Sequence, residues 1–105
     1  MEEITSTELK QRLDKGDDIQ IIDVREDNEV AIGRIPNSVH IPLAQVLTRM
    51  NEIDPAVETI VHCKAGVRSL KALSFLRQQG FKYLKSVKGG IGAWADEIDH
   101  NVPRY

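Results

Sequence analysis

Short runs rich in β-branched residues alternate with segments of helical periodicity along this chain, and the alternation limits the folds open to it. The runs are Ile19–Val24, Val39–Ile41, Thr59–Cys63 and Tyr83–Val87. Parallel strands need a crossover connection between them, which is usually a helix. The pattern therefore predicts an α/β fold with a parallel or mostly parallel sheet that helices cover on both faces.

The segments between these runs carry signals for helices. Thr5 followed by Glu8 is typical of a capping box, and Gly16 stands where the resulting helix would end. A second helix is predicted by apolar residues at helical spacing, namely Leu43, Val46, Leu47, Met50 and Ile53. A third is predicted from about Val67 to Gln79, and because it is apolar around most of its circumference we expect it to be largely buried. A last short helix contains Trp94, which could line a pocket but for which a core or lid-packing role is favoured.

Length and charge restrict the functional classes. A chain of 105 residues suits one compact domain, so we expect residues 1–105 to form a single domain. The net charge of −2 argues against a general nucleic-acid binder, which carries a strongly basic face. A single cysteine cannot form an internal disulfide, the N-terminal stretch is too polar for a signal peptide, and no apolar run approaches the roughly 20 residues that span a bilayer. We therefore expect a cytoplasmic protein with no membrane partner.

The only cysteine, Cys63, stands where a predicted strand passes through a short loop into a helix. Ligands of open α/β sheets bind beyond the carboxyl ends of the strands, and a helix start presents free N–H groups with partial positive charge. Gly66 permits the loop to curl, and Lys64 and Arg68 add full charges. We therefore predict a nucleophilic Cys63 with a lowered pKa. An anion or a persulfide sulfur would be held by the N–H groups of Lys64, Ala65, Gly66, Val67 and Arg68.

Other roles for this cysteine fit the sequence less well. A buried structural cysteine is the commonest alternative. A thioredoxin-like site needs a second cysteine, which the chain lacks. A metal site is disfavoured because His62 and Cys63 are adjacent on a strand and point to opposite faces, while His40 and His100 lie at no metal-like spacing. A cysteine protease with His40 as its base stays open but ranks low.

The chain resembles the rhodanese family of sulfurtransferases over essentially its whole length. The resemblance is carried by four motifs in order: Asp23–Glu26 (DVRE), Gly33–Pro42 (GRIPNSVHIP), Val61–Ser69 (VHCKAGVRS) and Val87–Trp94 (VKGGIGAW). It implies a five-stranded sheet flanked by helices on both faces. It also implies that Cys63 carries sulfane sulfur as a covalent persulfide, with no other cofactor and no metal, and accepts it from a small donor such as thiosulfate.

The length of the cysteine loop distinguishes sulfur transfer from phosphate hydrolysis, the related hypothesis. Cys63 to Arg68 is Cys-x-x-x-x-Arg, whereas phosphatases of the same fold use one residue more, which widens the ring of N–H groups to fit phosphate. Sulfur transfer is therefore favoured. A phosphatase or arsenate-reductase activity and a non-catalytic binding module on this fold remain the alternatives.

Three further residues have predicted supporting roles. Asp23 ends its strand on the same edge as Cys63, where it would orient a rim cation such as Arg25 or serve as a turn aspartate. Ser69 is expected to cap the helix after the loop. The chain departs from the family pattern at Arg34, where histidine is common, and at Asn37, where glycine is common. A loop conformation different from the family's is therefore expected after Pro36.

The last residues, WADEIDHNVPRY, resemble a more particular group. This group comprises the rhodanese domains at the carboxyl end of certain adenylyltransferases. Those enzymes activate sulfur-carrier proteins for molybdopterin or thiolated-tRNA synthesis. The resemblance implies as partners a persulfide-donating protein, a sulfur-carrier protein and an adenylyltransferase domain.

Overall fold

The computed structural model describes residues 2–105 and places its strands in a five-stranded sheet. The strands are β1 (Glu3–Ile4), β2 (Ile19–Asp23), β3 (Ser38–His40), β4 (Glu58–His62) and β5 (Leu84–Val87). Their order is β1-β5-β4-β2-β3, and every neighbouring pair is parallel. The predicted α/β class and sheet are confirmed, and β4, which leads to Cys63, is the central strand.

Five α-helices accompany the sheet in the described part of the chain. They are α1 (Ser6–Asp14), α2 (Asp27–Val30), α3 (Val46–Arg49), α4 (Val67–Gln78) and α5 (Gly90–Glu97). The predicted capping box begins α1: the Thr5 amide donates to Glu8 Oε1 at 2.9 Å, and the Glu8 amide donates to Thr5 Oγ1 at 3.1 Å. No helix within residues 2–105 has the length and apolar character to cross a membrane.

Alternating residues of the strands feed two cores, one on each face of the sheet. Ile21 and Ile60 face the first core, and their neighbours Ile22 and Val61 face the second. The first core also holds Leu9 of α1 and Ile91 and Trp94 of α5. The second core also holds Val46, Ala72, Leu73 and Leu76 from α3 and α4. Each fully buried large aliphatic side chain contributes about 1.5–3 kcal/mol of transfer free energy, so both layers are needed to stabilise the sheet.

Two local predictions were wrong. The stripe from Leu43 to Ile53 does not form one helix, because α3 is a single α-helical turn between two 3₁₀ turns, Leu43–Gln45 and Met50–Glu52. The helix α4 is not largely buried, since Val67 is 78% and Leu70 is 47% exposed. These apolar side chains lie in the first turns of α4, beside the cysteine loop, so they present an apolar surface next to the candidate site.

The edge strand β1 had no signal in the residue pattern. Only Glu3 and Ile4 belong to it, and they pair with Ser86 and Val87 of β5. Two residues are too few to show an alternation of polar and apolar positions. The fifth strand was therefore implied by the family resemblance alone.

Candidate active site

Cys63 lies at the carboxyl end of β4, and the loop after it folds back over its sulfur. The Gly66 amide donates a hydrogen bond to Cys63 Sγ at 3.1 Å, and Ser69 Oγ lies 3.6 Å from the same sulfur. Gly66 has φ 107, a left-handed conformation that lets the chain turn tightly enough to aim its amide inward. The cysteine itself is only 1% exposed. The sulfur thus lies at the base of a curled loop.

This environment favours the ionised thiol. Burial raises the pKa of Cys63, but hydrogen bonds from the Ser69 hydroxyl and from the amides of Ser69, Gly66 and Ala65 outweigh burial, so the pKa lies below its ordinary value. A buried sulfur is therefore compatible with a reactive one. Each donor is fixed by the backbone or by a buried side chain, and little reorganisation is needed when charge develops on the sulfur.

Ser69 acts differently from the predicted helix cap. The N-cap of α4 is Gly66, and Ser69 lies inside the first turn, fully buried. Its hydroxyl is 2.6 Å from the hydroxyl of Ser86 on β5, so Ser86 holds Ser69 in the orientation that faces Cys63. A strand serine has no sequence signal for such a role, because the contact depends on β4 and β5 being neighbours.

Replacing Ser69 with alanine should raise the pKa of Cys63. The substitution removes a hydrogen bond that stabilises the thiolate and leaves the Gly66 amide in place. The rate of alkylation by iodoacetamide, measured against pH, reports the fraction of thiolate. Its midpoint should move to higher pH in Ser69→Ala, while the exposed Ser74→Ala on the same helix serves as the matched control. An unchanged midpoint would show that the hydroxyl has no part in ionising the thiol.

The start of α5 is hydrogen-bonded to the backbone of the cysteine loop. The Ile91 amide donates to the Cys63 carbonyl at 2.9 Å, and the Gly92 amide donates to the Lys64 carbonyl at 3.2 Å. Gly90 has φ 58, and a Cβ placed on it would lie 2.5 Å from the Cys63 carbonyl oxygen. Gly90 of the VKGGIGAW motif is therefore needed because the two backbones approach so closely.

Asp23 and Arg25 form a buried ion pair beneath this edge of the sheet. Both side chains are 0% exposed, and Arg25 Nη2 lies 2.8 Å from Asp23 Oδ2. Burial raises the pKa of Asp23, but the Arg25 guanidinium and the other polar groups around it outweigh burial and hold the pKa below its ordinary value. The hypothesis that Asp23 orients Arg25 agrees with this geometry. The placement of Arg25 on the rim was wrong, because it is sealed inside.

Arg68 and Lys64, the two predicted cations of the loop, have different surroundings. Arg68 donates to both carboxylate oxygens of Glu29, at 2.5 and 2.8 Å, and this contact lowers the pKa of Glu29 to about 2. Glu29, on α2, had no sequence signal as a site residue. Lys64 is exposed, and its Nζ lies 4.6 Å from the ring centroid of Tyr105. The charge of Arg68 is thus largely balanced, and Lys64 is the more accessible cation.

Neither His40 nor His62 is a hydrogen-bond partner of the cysteine sulfur. His62 is fully buried, and burial lowers its pKa to about 4, so it is neutral at pH 7. Nε2 of His40 is hydrogen-bonded to the Arg25 carbonyl at 2.6 Å. Over residues 2–105, no group of three His, Cys, Asp or Glu side chains is close enough to hold a metal ion.

The departure at Asn37 leaves the loop conformation accessible without glycine. Asn37 has φ 65, and asparagine tolerates the left-handed region better than most residues. At the second departure, Arg34 Nη2 donates to the carbonyl oxygen of Ser38. Both residues therefore shape the entrance to β3.

The chain thus combines a parallel α/β sheet with a cysteine in an amide-lined loop at the end of the central strand. Residues 5–97 match the family described as rhodanese-like domain. The chain belongs to the rhodanese-like domain family.

Curated relatives and solved structures agree with this assignment. The chain is 38% identical over 97 residues to the putative sulfurtransferase YtwF of Bacillus subtilis, covering 92% of this chain and 93% of that one. It is 37% identical over 101 residues to a sulfurtransferase of Allochromatium vinosum, with 96% and 92% covered. It is 33% identical over 118 residues to the adenylyltransferase and sulfurtransferase MOCS3 of Arabidopsis thaliana, covering 97% of this chain and 25% of that one. The crystal structure of SSP1007 from Staphylococcus saprophyticus superposes with a TM-score of 0.85 at 36% identity, covering 93% and 97%.

Proposed function

We propose that this protein is a sulfurtransferase that carries sulfane sulfur as a persulfide on Cys63. The observation that carries the proposal is the convergence of the Gly66 amide and the Ser69 hydroxyl on a buried sulfur whose pKa is lowered. Relatives of nearly the same length are named sulfurtransferases, which supports the same chemistry here.

The proposed cycle has two displacements at sulfur. The Cys63 thiolate attacks the outer sulfur of thiosulfate, a new S–S bond forms, the S–S bond of the donor breaks, and sulfite leaves with the bonding electron pair. A thiophilic acceptor then attacks the outer sulfur of the persulfide and takes it, and the Cys63 thiolate leaves. A lowered thiol pKa raises the thiolate fraction for the first step and improves the leaving group in the second.

In this cycle the residues of the loop stabilise or attract negative charge, and none of them transfers a proton. The Gly66 amide and the Ser69 hydroxyl would stabilise negative charge on the inner sulfur, and exposed Lys64 would attract an anionic donor. Arg68 forms an ion pair with Glu29 and would act mainly by holding the loop against α2. Apart from the persulfide itself, the proposed cycle uses no cofactor.

The acceptor and donor in the cell are proposed by chemical class. The similarity to MOCS3, whose printed name joins adenylyltransferase and sulfurtransferase activities, supports transfer to a sulfur-carrier protein that an adenylyltransferase domain activates. A persulfide-donating protein would serve as donor in the same way as thiosulfate.

Intact-mass measurement tests the proposal. The protein is incubated with thiosulfate, desalted and weighed, and we expect a gain of one sulfur atom that cyanide removes as thiocyanate. Cys63→Ala should show no gain, and its mass after the same treatment is the control. Hydrolysis of an aryl phosphate without sulfur gain would instead support the phosphatase alternative. The absence of both activities would support a non-catalytic binding module.

A further inference from the structure

The side chain of Tyr105 contacts three groups around the cysteine loop. Its hydroxyl accepts a hydrogen bond from Arg25 Nη1 at 3.1 Å and donates one to Glu29 Oε2 at 2.9 Å. The second oxygen of that same carboxylate pairs with Arg68. Tyr105 thus completes a chain of contacts from the buried ion pair to the loop.

The aromatic ring of Tyr105 contacts the other cation of the loop. Lys64 Nζ lies 4.6 Å from the ring centroid, within the range of a cation–π interaction. Lys64 directly follows the nucleophile in the chain, and a flexible lysine needs such a contact to occupy one position. The ring therefore restricts where this positive charge lies relative to Cys63.

The segment that carries Tyr105 is fastened across the domain. A Cβ on Gly33 would lie 3.2 Å from both Val102 and Pro103, so this part of the chain packs directly on the loop before β3. Arg104 forms an ion pair with Asp96 of α5. These contacts hold the segment in place beside the cysteine loop.

A cavity of about 300 Å³ lies between this segment and the cysteine loop. Its lining includes the cations Lys64 and Arg104 and the carboxylates Asp96 and Glu97, and Arg104 is paired with Asp96. The positive charge that a small anion would meet on approaching the loop from this side is therefore that of Lys64.

We propose that Tyr105 is a positioning residue that holds Lys64 over this cavity and makes the site selective for doubly charged anions. The inference rests on the proposed function, because it identifies what the sulfurtransferase site recognises. Tyr105 acts through Lys64, and the ring rather than the hydroxyl is the part that positions the cation.

Protection of Cys63 by an inert dianion tests this role without requiring sulfur transfer. Sulfate is titrated against the rate of Cys63 alkylation by iodoacetamide, which yields an apparent affinity for sulfate. Tyr105→Leu should weaken that affinity about two- to fivefold, the size of a partly exposed cation–π contact. Tyr105→Phe should retain the affinity. Tyr83→Leu, which changes an exposed tyrosine on a different surface, is the matched control.

A double variant shows whether Tyr105 acts through Lys64 or only stabilises the local structure. In a Lys64→Met background, Tyr105→Leu should have no further effect on sulfate affinity. In turnover assays, Tyr105→Leu should raise KM for thiosulfate more than KM for the singly charged methanethiosulfonate, with kcat little changed.

Three results would overturn the inference: no protection of the unaltered protein by sulfate, equal protection in Tyr105→Leu, or a loss that persists in the Lys64→Met background. The proposed function is tested independently: it fails if intact-mass measurement shows no gain of sulfur on Cys63. Thermal unfolding of each variant shows whether it is folded in the assay.

Discussion

Asp23→Asn should lower the free energy of unfolding by roughly 3–5 kcal/mol, the range measured when one partner of a buried ion pair is removed. Asp23 accepts hydrogen bonds from Arg25 through Nε and Nη2 and from the Arg25 amide, and neither side chain is exposed. An asparagine keeps the volume and one acceptor but leaves the guanidinium without its counter-charge. Urea unfolding at pH 7 measures the loss.

The pH dependence of this penalty follows from the direction of the pKa shift. The folded-state pKa of Asp23 is lowered, so its contribution to stability is fully present above the ordinary carboxyl pKa and is lost as pH falls through the folded value. The difference between Asp23→Asn and the unaltered protein should therefore be constant near neutrality and shrink in acid.

Two controls define what the measurement means. Asp18→Asn removes an exposed carboxylate at the start of the same strand region and should change stability by less than about 0.5 kcal/mol. The double variant Asp23→Leu, Arg25→Leu removes both charges and should be more stable than Asp23→Asn. If Asp23→Asn unfolds at the same urea concentration as Asp18→Asn, the buried pair does not stabilise the fold.

The local parts of the site could be predicted from the sequence. Cys63, Gly66 and the start of α4 are close along the chain, and strand-to-loop-to-helix geometry brings the amides to the sulfur without any distant partner. The placement of Cys63 at the edge of the central strand also follows, because alternating strands and helices dictate a parallel sheet.

The distant partners could not be predicted, since each depends on which strands are neighbours. Ser86 reaches Ser69 only because β5 lies beside β4, and Glu29 reaches Arg68 across 39 residues of sequence. The burial of Arg25 was missed for a related reason. Arginine is rarely fully buried, and only the converging oxygens of Asp23 and of the backbone make burial tolerable.

Gly90→Ala should cost about 3 kcal/mol of folding free energy, from about 1 kcal/mol of left-handed backbone strain and about 1 kcal/mol for each of two hydrogen bonds. The added Cβ would overlap the backbone of Cys63 and Lys64, which cannot rotate away as a side chain can. Either α5 or the loop must shift, and the Ile91 and Gly92 amides then lose their carbonyl partners. Urea unfolding measures the cost.

The same substitution should reduce sulfur transfer more than it reduces the folded population. The carbonyl groups that α5 holds belong to the nucleophile and its neighbour, and a displacement of about 1 Å at a reacting group can slow catalysis about 100-fold. The control is Gly16→Ala, because Gly16 has a similar φ of 73 but open space around its Cβ, so alanine there introduces backbone strain alone. Sulfur gain on Cys63 is timed by intact mass in both variants under conditions where each is folded. Equal rates in the two variants would mean that α5 does not position the cysteine loop, whereas slow loading confined to Gly90→Ala would locate that function in the close approach of the two backbones.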